Sequence, residues 1–277
     1  MKQFGLLGYP LGHTLSPQLH HLLAEQQGQQ ISYEIFPIPP EDFEQQVEQL
    51  FSLDGFNITI PYKVPIIERL DELDASARNH GAVNVVAVSE QGRRIGYNTD
   101  CIGFVKTMES HGVALQGRVC VLGAGGVGRM FATECALRGC EVVLAVREKS
   151  IGQAQQIAEH IRGLCPQASV QVQDIAKLTG SYSLMINATP CGMFPKMDAS
   201  PVQEEVLAEV LAEVQTVFDC IYNPSQTLLM RQAARAGCRV VGGLGMLVWQ
   251  AAAAQEIWMG SSFAPEQIEQ VIRRLEQ

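Results

Sequence analysis

Two side chains in the first hundred residues could take part in proton transfer. Lys63 follows an apolar segment and lies between Pro61 and Pro65, so the chain holds it on a stiff loop. A lysine held in this way can donate or accept a proton if its environment lowers its pKa. Asp100 can contribute a carboxylate, or it can cap the helix that residues 102–108 indicate. The residue types alone leave a solvated lysine and a helix cap as open alternatives.

A glycine pattern in the second half has the spacing found in dinucleotide-binding proteins. Gly123, Gly125 and Gly128 follow an apolar segment at 118–122 and precede a helical segment that reaches about residue 138. Glycines at these positions allow a tight turn, close approach of the backbone to a pyrophosphate and close packing of helix on strand. The helix N-terminus then offers N–H groups and its dipole to the phosphates. The pattern predicts a dinucleotide site, with a cofactor-free glycine turn as the alternative.

The end of the following strand bears on which dinucleotide binds. An NAD-binding fold usually has an acidic residue there that accepts from the ribose 2′-hydroxyl. Here Ala145 and Val146 end the strand and Arg147 follows, so a guanidinium is available for a 2′-phosphate. Glu148 comes next, and its carboxylate would repel that phosphate or accept from a ribose diol instead. These residues favour NADP and leave NAD open.

Composition and charge exclude several classes of function. The chain has 277 residues, of which 47% are hydrophobic and 18% charged, a mixture typical of a globular protein. The net charge is −9, and the first hundred residues hold 6 Lys and Arg against 13 Asp and Glu. Because the chain has no basic run, it lacks the cationic face that nucleic acid or an anionic membrane would need. The acidic first hundred residues are also expected to repel anions at long range.

The cysteines and the apolar segments indicate where the protein is found. All 8 cysteines lie after residue 100, and no two have C-x-x-C spacing, so no metal site is expected. Scattered thiols are typical of a reducing compartment. Glycines and a proline interrupt residues 1–12, which makes a poor signal-peptide core, and the apolar stretch at 244–254 is too short to span a bilayer. These features predict a soluble, cytoplasmic protein.

The elements that must position these residues alternate between strands and helices. Ser16 and Pro17 suit the N-cap and the first position of a helix that reaches about residue 28. A second helical spacing covers residues 43–51, and the tail is helical over 245–259 and 265–275. Predicted strands lie at 4–8, 33–38, 56–60, 83–88, 118–122, 141–146, 169–172, 184–188, 217–221 and 239–241. The pattern predicts an α/β fold with a parallel, doubly wound sheet in its second half and a domain boundary near residue 100.

Eight sequence blocks, in order from about residue 5 to 255, resemble the shikimate dehydrogenase family, which includes shikimate/quinate dehydrogenases. The blocks are Gly8–His20, Asn57–Lys63, Gly81–Asn84, Asn98–Asp100, Gly123–Gly128, Asn187–Pro190, Asp219–Pro224 and Gly243–Leu247. The resemblance implies a substrate-binding and catalytic α/β domain over 1–100 and a Rossmann-type NADP-binding domain over 101–240. It further implies that helices in 241–277 pack back on the first domain and that the active site lies in the cleft between domains.

The reaction implied by the resemblance is the reversible NADPH-dependent reduction of 3-dehydroshikimate to shikimate, a step in aromatic amino-acid biosynthesis. Lys63 and Asp100 would form the catalytic pair, and which of them is the formal acid stays open because a coupled pair titrates as a unit. The implied substrate-binding residues are Thr14, Ser16 and Tyr222 for the carboxylate, and Thr59, Asn84 and Gln250 for the ring hydroxyls. The implied cofactor-binding residues are Gly123, Ala124, Gly125, Gly126, Val127, Gly128, Arg147, Thr189, Gly243 and Met246.

Two departures from the family pattern keep alternatives open. Thr14 stands where the family commonly has Ser, a change associated with relatives that also oxidise quinate. Residues 145–148 replace the usual Asn-Arg-Thr and keep only Arg147, which weakens the preference for NADP. The alternatives are a quinate/shikimate dehydrogenase that prefers NAD and, in another class, a non-catalytic NADP-binding sensor. The sequence also leaves the oligomeric state open, with a homodimer as one outcome.

Overall fold

A computed structural model describes residues 1–12 and 14–276, which form two compact units. The first unit comprises residues 1–103 and 248–277, and the second comprises residues 104–247. His13, which belongs to the first of the eight blocks, lies outside the described residues. None of the helices that the structure describes is long and apolar enough to cross a membrane.

The described residues form ten α-helices, which we number in chain order. They are α1 (Ser16–Gln26), α2 (Phe43–Gln46), α3 (Ala75–His80), α4 (Thr99–Ser110), α5 (Gly126–Leu137), α6 (Ile151–Leu164), α7 (Glu204–Leu211), α8 (Leu228–Arg235), α9 (Leu244–Met259) and α10 (Pro265–Leu275). The boundaries between the two units fall within α4 and α9.

The sheet of the first unit has six strands in the described part of the chain. They are β1 (Lys2–Gly8), β2 (Ile31–Pro37), β3 (Gly55–Ile58), β4 (Glu72–Leu73), β5 (Val85–Val88) and β6 (Arg94–Tyr97). Their order is β2-β1-β3-β5-β6-β4. Strand β1 runs parallel to β2 and β3, whereas β5 runs antiparallel to β3 and β6. Because β1 and β3 are parallel neighbours, the loops after them leave the same edge of the sheet.

The sheet of the second unit is parallel throughout, and it confirms the doubly wound prediction. The described strands are β7 (Arg118–Leu122), β8 (Glu141–Val146), β9 (Val170–Asp174), β10 (Tyr182–Asn187), β11 (Val214–Asp219) and β12 (Arg239–Val241). Their order is β12-β11-β10-β7-β8-β9. From β7 the next strands, β8 and β9, are added toward one edge, whereas β10, β11 and β12 are added toward the other. The strand order therefore changes direction between β7 and β10, and ligands of such sheets bind there, outside the carboxyl ends of the strands.

The last helices of the chain complete the core of the first unit. Trp258 on α9 stacks on Phe4 of β1 with ring centroids 4.4 Å apart, and its indole Nε1 donates to the Val86 carbonyl at 2.9 Å. On the same side, His20 of α1 stacks on Tyr33 of β2, also with centroids 4.4 Å apart. The β-sheet of this unit therefore packs against residues from both ends of the sequence.

The structure differs from the sequence-based prediction at the first helix. Ser16 was predicted as the N-cap, but the cap is Leu15, and Ser16 is the first helical residue. The reason is that the Thr14 hydroxyl accepts from the Ser16 amide at 3.2 Å, so the loop before the helix already satisfies this first helical amide. The Ser16 hydroxyl in turn accepts from the Thr14 hydroxyl at 3.1 Å instead of capping the helix.

Short elements account for the other differences. Only α2 forms within the helical spacing of 43–51, and a 3₁₀ helix follows over Val47–Ser52. Because side chains three apart lie on one face of a 3₁₀ helix, Val47 and Leu50 still reach the core. Strand β4 and helices α3 and α7 were not predicted; β4 has only two residues, too few for a periodic pattern.

Candidate active site

Lys63 and Asp100 form an ion pair in the first unit. The Lys63 Nζ lies 2.6 Å from Asp100 Oδ2, and the two side chains are 27% and 20% exposed. Lys63 lies in the turn after β3, and its carbonyl accepts from the Val83 amide at 2.7 Å. This backbone bond ties the lysine loop to the segment before β5. The pair is therefore partly shielded from water and still open to a small molecule.

The Asp100 carboxylate is held by a buried amide. Asp100 lies in the first turn of α4, and its Oδ1 accepts from Asn84 Nδ2 at 2.9 Å. The Asn84 Oδ1 in turn accepts from the Thr99 amide at 2.7 Å, which fixes the direction of the Asn84 side chain. The carboxylate thus binds Lys63 and Asn84, whereas the Asp100 amide donates to Asn98 Oδ1 at 3.1 Å.

Backbone bonds bring the loops after β1 and β3 together at one edge of the sheet. The Tyr9 amide donates to the Ile60 carbonyl at 3.0 Å, and the Thr59 amide donates to the Leu7 carbonyl at 2.8 Å. The first of these loops carries Thr14 and the second carries Lys63. The edge therefore gathers hydroxyl groups and the ion pair within the same unit.

The predicted substrate-binding residues divide between the two units. Thr14, Ser16, Thr59, Asn84 and Gln250 lie in the first unit, and Tyr222 lies in the second. The Thr14 hydroxyl donates to the Ser16 hydroxyl at 3.1 Å. Thr59 and Gln250 are half-buried, and Tyr222, which follows β11, is 40% exposed.

A buried polar pair in the first unit, Tyr33 and Asn57, was not found by sequence reasoning. The Tyr33 hydroxyl donates to Asn57 Oδ1 at 2.8 Å. Burial raises the pKa of Tyr33, so its hydroxyl keeps its proton. Asn57 opens one of the eight blocks, which is the sequence signal that could have identified it.

The glycine loop of the second unit fits a dinucleotide. Gly123 has φ +105°, and a Cβ on Gly128 would lie 2.3 Å from the Gly123 carbonyl oxygen, so both positions require glycine. Gly125 caps α5 without any side-chain hydrogen bond from the described residues. Gly125, Gly126 and Val127 are exposed, and the two glycines have open space around them. The first turn of α5 therefore presents backbone N–H groups to a ligand, as pyrophosphate binding requires.

Other predicted cofactor residues lie at the carboxyl ends of neighbouring strands. A Cβ on Gly123 would lie 2.8 Å from Thr189 Cγ2, so the loops after β7 and β10 are in contact. Arg147 follows β8 and is exposed. Gly243 passes close to the Cys220 carbonyl, which a Cβ would approach to 2.2 Å. Met246, in contrast, is only 9% exposed at the start of α9.

Comparisons with known proteins extend over nearly the whole chain. Residues 6–86 match the family model of the shikimate dehydrogenase substrate binding domain, and residues 243–273 match that of the shikimate 5′-dehydrogenase C-terminal domain. A curated relative, the shikimate dehydrogenase (NADP(+)) of Methanocaldococcus jannaschii, is 36% identical over 264 residues, which cover 94% of this chain and 92% of the relative.

Two solved structures show the same architecture with ligands bound. Shikimate 5-dehydrogenase from Thermus thermophilus in complex with NADP(H) and shikimate has a TM-score of 0.86 and 32% identity, and the match covers 99% of both chains. Shikimate 5-dehydrogenase from Listeria monocytogenes in complex with shikimate and NAD has a TM-score of 0.88 and 27% identity, and the match covers 98% of this chain and 96% of that one.

Proposed function

The chain belongs to the shikimate dehydrogenase family, and we propose on that basis that it interconverts 3-dehydroshikimate and shikimate by hydride transfer with NADP. It is an oxidoreductase, and the reaction is a step in aromatic amino-acid biosynthesis. The observation that carries the proposal within the chain itself is the ion pair of Lys63 and Asp100, 2.6 Å apart and held by Asn84. A cofactor-binding sensor without catalytic activity would not need this pair.

The pair handles the proton that accompanies hydride transfer. The nicotinamide cofactor supplies or takes the hydride when bound, and the protein supplies position and electrostatics. In the direction of reduction, the Lys63 ammonium gives a proton to the oxygen of the forming alkoxide. Asp100 holds the lysine in place and balances its charge, while Asn84 fixes the carboxylate by donating to its Oδ1. In the direction of oxidation, Lys63 as the neutral amine accepts the proton that the substrate hydroxyl loses.

Hydroxyl and amide groups bind the substrate in this proposal. Thr14, Ser16 and Tyr222 bind its carboxylate, and the Thr14 hydroxyl turns its single proton from Ser16 to the substrate when the substrate binds. The adjacent Thr14 and Ser16 hydroxyls support this assignment, because they lie at a loop edge that also carries Lys63. Thr59, Asn84 and Gln250 bind the ring hydroxyls.

Residues 101–240 form most of the cofactor-binding domain in this proposal, while residues 1–100 carry the catalytic pair and most of the substrate-binding residues. The loop from Gly123 to Gly128 receives the pyrophosphate, and Thr189, Gly243 and Met246 contact the rest of the cofactor. Arg147 contacts the 2′-phosphate that distinguishes NADP from NAD. Its place directly after β8 supports this role, because that strand end faces the adenosine ribose in dinucleotide folds.

A four-way assay tests the proposed function: oxidation of shikimate and of quinate, each with NADP⁺ and with NAD⁺. We expect the largest kcat/KM for shikimate with NADP⁺. In a parallel measurement, Arg147→Ala raises the KM for NADP⁺ more than the KM for NAD⁺, because only the former carries the phosphate. Faster oxidation of quinate with NAD⁺ would replace the proposal by the quinate/shikimate alternative that Thr14 suggests.

The proposal also covers the compartment and the assembly state. We place the reaction in the cytoplasm, in keeping with eight free cysteines, six of which are buried. We propose that the protein forms a homodimer. Sedimentation equilibrium measures the mass of the assembly, and fractionation of cells determines the compartment.

A further inference from the structure

A buried carboxylate in the second unit is linked by hydrogen bonds to the segments that carry Thr189 and Tyr222. In the proposed function, Thr189 binds the cofactor and Tyr222 binds the substrate. Asp219 ends β11 and is 0% exposed. Hydrogen-bond donors surround it: Asn187 Nδ2 lies 3.1 Å from both carboxylate oxygens, and the Thr227 hydroxyl lies 2.7 Å from Oδ2. The Ile221 amide completes the set at 3.1 Å from Oδ1.

The carboxylate determines the direction of the Asn187 amide. An ionised carboxylate only accepts hydrogen bonds, so the Asn187 NH₂ group must face Asp219 and its Oδ1 must face the opposite way. On that opposite side, Asn187 Oδ1 accepts from the Thr189 amide at 3.0 Å and from the Thr189 hydroxyl at 2.7 Å. Asp219 therefore acts on Thr189 through one intervening side chain.

This arrangement fixes what Thr189 can offer to a ligand. Its single hydroxyl proton is committed to Asn187, and its oxygen already accepts from the Cys191 amide at 3.2 Å. A hydroxyl has one donor hydrogen and two acceptor lone pairs, so one lone pair remains. Thr189 can thus only accept a hydrogen bond, which suits a ribose hydroxyl or a carboxamide N–H of the cofactor and does not suit a phosphate oxygen.

The same carboxylate also constrains the chain toward Tyr222. The Ile221 amide, which donates to Asp219 Oδ1, belongs to the residue just before Tyr222. This bond holds the backbone after β11 close to Asp219, and it therefore fixes the backbone position from which the Tyr222 side chain projects.

We propose that Asp219 is a positioning residue that sets the acceptor group of Thr189 and the direction of Tyr222 at the same time. The inference rests on the proposed function, because the ligand roles of these two residues come from it. Burial raises the pKa of Asp219, so an ionised carboxylate is costly at this place. A neutral amide of the same shape would fill the space at lower cost, but it would offer Asn187 one acceptor oxygen instead of two, leaving the Cys191 carbonyl at 3.3 Å as the other acceptor of the Asn187 NH₂ group.

Asp219→Asn tests the inference with little change in shape. The new NH₂ group at position 219 faces either the Asn187 NH₂ group or the Thr227 hydroxyl. If the Asn187 side chain turns over to avoid a contact between two donors, the Asn187 NH₂ group then faces the Thr189 amide, which is also a donor. We expect the Kd for NADP⁺ and the Kd for shikimate, both measured by titration calorimetry, to rise about tenfold, the effect of losing one charged hydrogen bond. Thr189→Val serves as a second variant of nearly the same shape, and it raises the Kd for NADP⁺ alone.

Thr227→Val is the matched control. It removes one donor to the same carboxylate and the cap of α8, but it leaves the bonds from Asn187 and Ile221 in place. We expect it to lower the Tm while both Kd values stay at those of the wild type. Unchanged Kd values in Asp219→Asn or in Thr189→Val, or an equal loss of affinity in Thr227→Val, would overturn the inference. A wild type that binds neither ligand would instead overturn the proposed function, and the inference with it.

Discussion

Asn84 holds one member of the ion pair between Lys63 and Asp100 in place. The Asn84 amide uses its Nδ2 for Asp100 and its Oδ1 for the Thr99 amide, so the carboxylate can turn only at the expense of buried hydrogen bonds. The lysine is the flexible partner, and its ammonium is kept 2.6 Å from a fixed anion. At the scale of single residues, the geometry of the site is therefore determined by an amide that does not itself carry a charge.

Replacing the lysine separates chemistry from cofactor binding. Lys63→Ala is expected to lower kcat by about 10²–10⁴-fold, the range associated with a positioned proton donor. The Kd for NADP⁺ should stay unchanged, because the glycine loop belongs to the second unit. Steady-state kinetics and calorimetry measure the two quantities.

Lys106→Ala is the control for this experiment, since Lys106 is an exposed lysine that pairs with surface charge at Glu109. It should retain wild-type kcat. If Lys63→Ala also retained it, the assignment of Lys63 to proton transfer would be wrong.

The turn between β7 and α5 combines two kinds of glycine. At Gly128 a Cβ would collide with the Gly123 carbonyl, so this position serves the packing of the helix on the strand. At Gly125 a Cβ would meet nothing within 4 Å, and its φ of −74° suits any residue. The glycine at 125 is therefore not required by the fold itself, which leaves the approach of a ligand as its physical reason.

Two alanine substitutions distinguish these roles. Gly128→Ala should lower the free energy of unfolding by about 1–3 kcal/mol, as overpacking does. Gly125→Ala should leave the free energy of unfolding nearly unchanged. Alanine is a poorer N-cap residue than glycine, which destabilises the helix by about 1 kcal/mol, but it also restricts the unfolded chain, which stabilises the fold by a similar amount. It should nevertheless weaken NADP⁺ binding, because its methyl group occupies the space of the pyrophosphate. Urea unfolding and calorimetry test both, and equal stability losses would contradict the distinction.

Sequence patterns predicted the second unit better than the details of the first. Buried parallel strands such as β7, β8 and β12 read as continuous apolar runs, and their predicted bounds agree with the structure. The N-cap at Ser16 was wrong because the Thr14 hydroxyl accepts from the Ser16 amide and Leu15 takes the cap position, which only the folded loop determines. The bond between Asn187 and Asp219 joins residues 32 positions apart, and no local pattern shows that this carboxylate is buried.

At the scale of the whole molecule, local groups outweigh the net charge of −9. The acidic first hundred residues were expected to repel anions, yet the proposed substrate is a carboxylate. Neutral hydroxyls at Thr14 and Ser16, together with the Lys63 ammonium, provide donors at short range, where they act more strongly than distant charges screened by salt. The expectation from composition therefore applies to large polyanions and does not extend to a small anion that local donors can bind.

A buried histidine makes the stability of the whole protein depend on pH. Burial lowers the pKa of His20 to about 3. Gln255 Nε2 lies 3.2 Å from its Nδ1, so the neutral ring accepts there. The unfolded chain takes up this proton near pH 6.5 and the folded one does not, so the free energy of unfolding should fall by about 1.4 kcal/mol per pH unit as the pH drops below about 6.5.

The pH dependence is measured by urea unfolding between pH 7 and pH 4.5, in comparison with His20→Gln, which should remove this part of the slope. His21→Gln is the matched control, because its ring is exposed one position along the same helix. Ring proton shifts in NMR spectra provide an independent reading. A His20 signal that titrates near pH 6.5 in the folded protein would refute the prediction.

The order in which the chain is synthesised matters for a core built from both of its ends. When residue 247 leaves the ribosome, every residue of the second unit has been made, whereas the sheet of the first unit still lacks the indole that stacks on Phe4. Part of the apolar surface of the nascent first unit therefore stays uncovered until Trp258 has emerged from the ribosome. Folding in the cell should accordingly complete the unit of residues 104–247 first and the unit that carries Lys63 and Asp100 last.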